Sequence, residues 1–312
     1  MELIGHVRGI RVLCEVAARG SFSSAAQALG LTQSAVSQHV AALERQAGLP
    51  LIERGTRPAE LTQAGAALVR HGTAISARLD SAEQELAEIA GRRAGRLRFG
   101  SFPTALTTFV PAALARLRSQ QPAITLTVVD DHMQGLLPRL ADGELDLAVI
   151  YDHQLLPEIA SAALGRVDLF DDAFQAVLPR GHRLADHGAA LDLPDLAGEA
   201  WVGGRAGSAW FRIVRQACRT AGFDPRVALT SDDYRAVQAF VAAGLGVAVI
   251  PGLGVVRPAP GVEVRRLRAG APARRICAVH PDDSFQPPAV RTMITILETI
   301  TRRLRNPPMP HD

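Results

Sequence analysis

Gly20-Ser-Phe-Ser-Ser-Ala-Ala-Gln-Ala-Leu-Gly30, followed after Leu31 and Thr32 by Gln33-Ser-Ala-Val-Ser-Gln38, decides how the beginning of this chain folds. Upstream, Val7, Ile10, Val12, Leu13, Val16 and Ala17 recur at helical spacing over residues 6–18, and Gly20 stops that helix. Ser21 or Ser23 caps a short helix over residues 24–29, whose Ala25, Ala26 and Ala28 allow close packing. Gly30 breaks it, as a tight turn requires. Thr32 caps a third helix reaching about Ala47, with Ala35, Val36, Val40 and Leu43 facing inward. Three helices with glycine in the turn before the third describe a helix-turn-helix. Gln33, Ser34, Ser37, Gln38 and His39 lie on the outer face of the third helix, with side chains suited to base edges and phosphates. Helix spacing alone also fits a small alanine-rich protein-interaction module.

The bulk properties narrow the class. With 312 residues, 47% hydrophobic and 21% charged, the chain can bury a sizeable core in two or three domains. Net charge is only +3, and through residue 60 six arginines face five glutamates, so a general positive field cannot hold nucleic acid. Binding must rest on a few placed contacts. Every basic side chain apart from histidine is arginine, which excludes a Walker-type phosphate loop with its lysine. Cys14, Cys218 and Cys277 are far apart and suggest neither a disulfide framework nor a zinc site. No signal core and no run of about 20 apolar residues is present, so a cytoplasmic protein without a membrane span is expected.

The quoted run continues through Ala42-Leu-Glu44, Gly48-Leu-Pro-Leu51, Glu53-Arg54 and Leu61-Thr-Gln-Ala-Gly65. In order and without gaps, this stretch closely resembles the DNA-binding signature of the LysR-type transcriptional regulators. Ile52 departs from the family's usual phenylalanine and Gln38 from a common basic residue. The resemblance implies a winged helix-turn-helix over residues 1–61. In it Gln33, Ser34, Ser37 and Gln38 approach the major groove, Ser23 and Thr32 flank them, and Arg54 and Arg57 of the wing-like segment 53–60 contact phosphate. It also implies a linker helix over residues 62–92 that dimerises. The residues agree with a long helix: Leu61, Leu68, Ile75, Ala82 and Ile89 are spaced by seven, with Gly65, Gly72, Leu79 and Leu86 between them. Leu68, Ile75, Leu79, Leu86 and Ile89 are the expected dimer contacts. The same stripe would serve a lone amphipathic helix packed on its own domain.

After Arg96 short β-type runs alternate with helices: 97–100, 103–118, 124–129, 136–141 and 145–150, then 174–178, 209–221, 236–243 and 247–250, with 274–279 and 288–304 returning. Such alternation predicts a parallel α/β sheet in two lobes, with a cleft between them for a small ligand. Arg98-Phe-Gly-Ser101, Gly143-Glu-Leu-Asp-Leu-Ala148, Leu178-Pro-Arg-Gly-His182 and Val241-Ala-Ala-Gly-Leu-Gly246 with Ile250-Pro251 resemble the family's effector domain, itself similar to periplasmic binding proteins. That domain is expected over residues 93–312. Ser101 and Thr104, with Phe102 between them, sit where a strand meets a helix and could hold an anion or carbonyl. Gly203 and Arg205 are expected on the opposite lobe, Asp152 at a strand end, and Trp201 in the core.

Other motifs carry less. His182 and His187 bracket Asp186 without a convincing metal spacing, and Gly244-Leu-Gly246 precedes a strand, the wrong order for a dinucleotide loop. Cys218 lacks a nearby second cysteine, so the disulfide switch of the family's peroxide sensors is not expected; a single-thiol response stays open. The resulting expectation is a sequence-specific regulator of double-stranded DNA, a homodimer or homotetramer controlled by an unidentified small effector. It needs no cofactor, metal or catalytic residue, and RNA polymerase is a candidate partner. The alternative is a small-molecule-binding protein or enzyme with a helical interaction head.

Overall fold

The structure is a computed structural model that describes residues 4–53, 58–89, 95–155, 164–185, 190–268, 270–282 and 286–305. Arg54 and Arg57, the His187–Asp186 pair and the side chain of Ile89 lie outside the described residues. The chain divides into two compact units: Met1–Arg98 with Ala123–Thr127 and Gly135–Asp146, and the rest.

The first unit opens with α1 (Val7–Arg19), α2 (Phe22–Leu29) and α3 (Gln33–Ala47). Each later helix starts on a side-chain cap that relieves an unpaired N–H: Ser21 Oγ accepts from Ser24 N, and Thr32 Oγ1 from Ala35 N. Gly30 takes the left-handed conformation (φ 64°) that the tight turn needs. Leu13, Val16, Ala25, Val36, Leu43 and Leu51 are buried together, each large side chain contributing about 1.5–3 kcal/mol. An isolated antiparallel bridge follows, where Ile52 pairs with Leu61 and Glu53 N–H donates to Glu60 O.

The long helix α4 (Gln63–Ile89) forms as the stripe requires, but its first half is spent inside its own domain. An added Cβ on Gly65 would lie 2.0 Å from the Leu51 carbonyl oxygen, and one on Gly72 would lie 2.4 Å from Ile10 Cγ2. These glycines are therefore contacts with the preceding domain, not with a partner helix. Leu68 and Val69 pack on the same core. Further along, Ile75, Leu79 and Leu86 remain 40%, 50% and 67% exposed.

The remaining elements are β1 (Arg96–Ser101), α5 (Pro103–Leu106), α6 (Val110–Gln120), β2 (Thr125–Asp130), α7 (Met133–Ala141), β3 (Leu147–Asp152), β4 (Leu164–Pro179), β5 (Ala200–Gly203), α8 (Ala209–Thr220), β6 (Arg226–Thr230), α9 (Tyr234–Ala242), β7 (Ala248–Pro251), β8 (Val262–Arg266), β9 (Ala273–Pro281) and α10 (Pro288–Arg305). Strand order in the main sheet is β2-β1-β3-β9-β4-β7, with β8 also on β4, and β5 pairs with β6. The expected parallel sheet is in fact mixed. Of the described pairs, β1–β3 and β5–β6 are parallel, whereas β9 runs antiparallel to both β3 and β4, and β4 antiparallel to β7 and β8. The physical reason is β4 itself. Its first ten residues pair with β9 in one lobe and its last ones with β7 and β8 in the other, so β4 and β9 are the strands that join the lobes. Arg98 and Asp146, from two of the quoted motifs, bond each other through backbone and side chain (Arg98 N to Asp146 Oδ2, 2.7 Å), tying β1 to the turn before β3.

Candidate functional site

On the first unit, Thr32, Gln33, Ser34, Ser37 and Gln38 are all exposed, and the inward set Val36, Val40 and Leu43 is buried. Helical periodicity alone makes that division. Ser23 Oγ donates to Gln33 Oε1 (3.1 Å), and the Thr32 and Ser34 hydroxyls share a hydrogen bond (3.0 Å). These contacts hold the Gln33 amide in a fixed orientation on the first turn of α3 with its N–H donors free, the chemistry that reads an acceptor on a base or phosphate. His39 is half-buried.

In the second unit, one cluster forms where the joining strands meet the ends of β1 and β3. Ser101 pairs in register with Val149, and Tyr151 with Ile276, so strand alternation puts Ser101, Tyr151 and Arg274 on one face. Arg274 is the hub. Its Nε donates to Asp172 Oδ2 (2.9 Å) and its Nη2 to Thr104 Oγ1 (3.0 Å), and both members of the ion pair are only 4% exposed. Its guanidinium lies 5.0 Å from the Phe102 ring centroid and 4.7 Å from that of Tyr151, a cation–π sandwich that makes its burial tolerable. Asp172 Oδ1 accepts from Leu253 N–H (3.0 Å), so each carboxylate oxygen has a donor. Burial pushes the Asp172 carboxyl up from its ordinary value, against the pull of Arg274.

The cluster carries unused donors. Ser101 is fully buried, and its Oγ has no hydrogen-bond partner. An orphaned buried hydroxyl costs about 1–3 kcal/mol and calls for an explanation. Among the described residues, the hydroxyls of Tyr151 and Tyr234 and Nη1 of Arg274 are also without partners. Tyr234 packs against Gly254 and edge-on to Trp210 (5.0 Å), and burial pushes the hydroxyls of both Tyr151 and Tyr234 up from their ordinary value, making them weaker acids.

Ser101, Phe102 and Thr104 thus come together as the strand–helix reading expected. Asp152 does not join them. It sits one residue past Tyr151, on the opposite face of β3, and is taken by Arg166 (2.6 Å). Arg205 is likewise engaged, with Asp232 accepting from both its Nε (2.6 Å) and its backbone N–H. Gly203 faces Val227 and lines a narrow pocket with Trp201, Trp210 and Val249, room for about one water. Trp201 is core, its Nε1 donating to Leu196 O. Arg274, Asp172, Tyr151 and Tyr234 were missed. The Arg274-Arg275 pair opening an apolar strand and the Asp171-Asp172 pair before Ala173 and Phe174 were the signals available. His182 bonds Glu199 (3.4 Å) in a surface network with Arg183, and no metal-binding group occurs among the described residues.

Two family models match the chain: a bacterial regulatory helix-turn-helix protein of the lysR family over residues 7–66, and a LysR substrate binding domain over residues 90–301. A probable hydrogen peroxide-inducible genes activator of Mycobacterium avium is 34% identical over 309 residues, 93% of each chain. The chain belongs to the LysR family. It is a LysR-type transcriptional regulator with a DNA-binding head and an effector-binding domain. Among solved structures, full-length OxyR from Pseudomonas aeruginosa has a TM-score of 0.72 at 24% identity, covering 95% of this chain and 94% of that one. Full-length CbnR complexed with its target DNA has a TM-score of 0.65 at 21% identity, covering 96% and 100%. In this LysR-family chain the first match spans the exposed α3 face, and the second spans the Arg274 cluster. No described helix is long and apolar enough to cross a membrane.

Proposed function

We propose that this regulator binds DNA through Thr32, Gln33, Ser34, Ser37 and Gln38, flanked by Ser23 and, on the wing, by Arg54 and Arg57. A small effector is held non-covalently between the lobes at Ser101, Phe102 and Thr104. The observation that carries the effector site is the orphaned Ser101 hydroxyl beside the Thr104–Arg274 hydrogen bond. Ile75, Leu79 and Leu86 form the dimer contact, since among the described residues they are the large apolar side chains that α4 leaves uncovered. Acting on DNA places the protein in the cytoplasm.

The relatives' name raises peroxide as the signal. The cysteines argue against a thiol mechanism. Cys218 and Cys277 are fully buried, and burial pushes both thiols up to about 12, so almost none is thiolate at neutral pH. Cys14 is half-buried between α1 and α4, and its thiol is raised as well.

A footprint on the DNA flanking its own gene, across a salt series, tests the proposal. Protection over several helical turns, surviving competitor DNA and lost in Ser37→Arg, is expected. Protection unchanged by Ser37→Arg would remove α3 as the reading helix.

A further inference from the structure

Gly143, the first residue of the Gly143-Glu-Leu-Asp146 motif, follows α7 in the left-handed conformation (φ 70°). Its N–H donates to Leu140 O (3.1 Å), and the N–H groups of Glu144 and Leu145 donate to Arg139 O (2.8 and 3.1 Å), which closes the helix. A Cβ added to Gly143 would lie 2.7 Å from Ala77 Cβ, so this turn rests directly on α4. Ala77 is 6% exposed. Among the described residues of α4 beyond Gly72 it is the one buried side chain, while Ile75, Arg78, Leu79 and Asp80 around it are exposed. At about 100° per residue, Ala77 falls opposite the stripe of Ile75, Leu79 and Leu86. The turn therefore covers the back of the helix and leaves the stripe open. It is itself anchored. Asp146 Oδ2 accepts from Arg98 N–H (2.7 Å), its Oδ1 accepts from the Arg98 guanidinium, and its own N–H donates to Arg98 O (2.9 Å). Residues Gly135–Asp146 accordingly belong with the head and α4 in one compact unit.

We propose that the turn 142–146 is a brace for the linker helix, and that it sets the bearing of the DNA-binding heads in a dimer. The inference rests on α3 as the reading helix and on the stripe as the dimer contact. The head is fixed to α4 through Gly65 and Gly72, so its direction follows that of the helix. Beyond Gly72 a helix held only by a thin stripe is free to bend and fray. Ala77 lies between the last of those head contacts and Leu79, and there the turn supports the helix from behind. Two braced heads meet a pair of half-sites already spaced, whereas heads on loose helices must be ordered at the moment of binding. The brace thus acts on paired sites and not on the contact of one head with one half-site. Small residues on both sides are what it needs, since a longer side chain at 77 or a Cβ at 143 pushes the turn off the helix.

Two duplexes cut from the footprint, one with both half-sites and one with a single half-site, test the brace on the full-length protein. Ala77→Gln keeps good helix propensity. It is expected to weaken the paired site about tenfold and the half-site by less than about twofold, with the tryptophan melt unchanged. Gly143→Ala reaches the same contact from the other side and is expected to do the same. The double variant is expected to match the weaker-binding single within about twofold, because both changes break one contact. Ala77→Ser, still small, is expected to behave as wild type. An unaffected paired site, equal losses on both duplexes or additive losses in the double variant each overturns the proposal. Hydrogen exchange without DNA separates this failure from failure of the DNA reading. Amides 143–146 are expected to exchange at least about tenfold faster in Ala77→Gln than in wild type. Unchanged exchange overturns the brace whether or not a footprint exists. Faster exchange with no footprint supports the brace and refutes only α3 as the reading helix.

Discussion

Removing Asp172 strands Arg274. In Asp172→Ala the guanidinium keeps its hydrogen bond to Thr104 and its contacts with Phe102 and Tyr151, but it loses its counter-charge at a position only 4% exposed. Breaking a buried pair in this way costs about 3–5 kcal/mol, because an uncompensated charge stays out of water. The unpaired Leu253 N–H adds to the loss. For a domain of this size each kcal/mol moves the midpoint by about 2–4 °C, so the melt should fall on the order of 10 °C. Replacing both partners, Asp172→Leu with Arg274→Met, removes the stranded charge and should recover most of that loss. Burial pushes the Asp172 carboxyl up from its ordinary value, so the ionised pair is held at some expense to the folded state, in line with recovery by the double replacement. Both tryptophans, Trp201 and Trp210, are buried in the effector domain, so their fluorescence follows its unfolding without interference from the DNA-binding head. Melts at equal protein concentration compare the three proteins. A single variant within about 1 kcal/mol of wild type, or a double variant no better than the single, would refute the reasoning. Either result would mean that water reaches Arg274 in the folded state.

Gly65→Ala should destabilise the DNA-binding head by about 3 kcal/mol or more, since the new Cβ meets the Leu51 carbonyl and not a movable side chain. DNA binding should vanish while the tryptophan melt stays put; loss of both would show that the two halves unfold together. Hydrogen bonding to Arg215 holds the Asp224 carboxyl at about 2, below its ordinary value, so its contribution is present above about pH 4 and disappears as the pH falls through 2. Acid titration of Asp224→Asn should show a flatter loss over that range, and an identical profile would mean that the exposed pair contributes nothing. Thiol reagents at pH 8 should label at most Cys14 in the native protein and all three cysteines in guanidinium; rapid native labelling of Cys218 or Cys277 would reopen a redox mechanism.

What could be read in advance divides along a physical line. The head was legible because its determinants are local. Thr32 caps the helix it precedes, Gly30 makes the turn it occupies, and helical periodicity sorts Val36 and Val40 from Ser37 and Gln38 within one segment. Ser101, Phe102 and Thr104 were legible for the same reason, as one strand–helix junction. The stripe on α4 was legible as a helix, but a stripe does not name its partner. Gly65 and Gly72 turn out to meet Leu51 and Ile10 of the same chain, so only the later positions are left for a second copy.

The other half of the Arg274 cluster is assembled by pairing at long range, and there local reading fails in an instructive way. Asp172 and Arg274 are 102 residues apart and meet because β4 and β9 place them opposite each other. Asp168, Asp171 and Asp172 interrupt the apolar pattern of β4, which is why only residues 174–178 read as strand and the crossing between lobes went unseen. Those same aspartates are the reason the crossing works. Asp168 and Asp171 lie near Arg275 on the exposed side, while Asp172 goes inward to Arg274, so the strand sorts its charges by face. Asp152 and Arg205 show the converse. Each is a polar residue in a plausible place, and each is already spoken for, by Arg166 and Asp232. A charge near a cleft is thus weak evidence of a ligand until its partner is known. A charge inside an apolar strand is stronger evidence of a buried partner, because desolvation forbids it to stand alone.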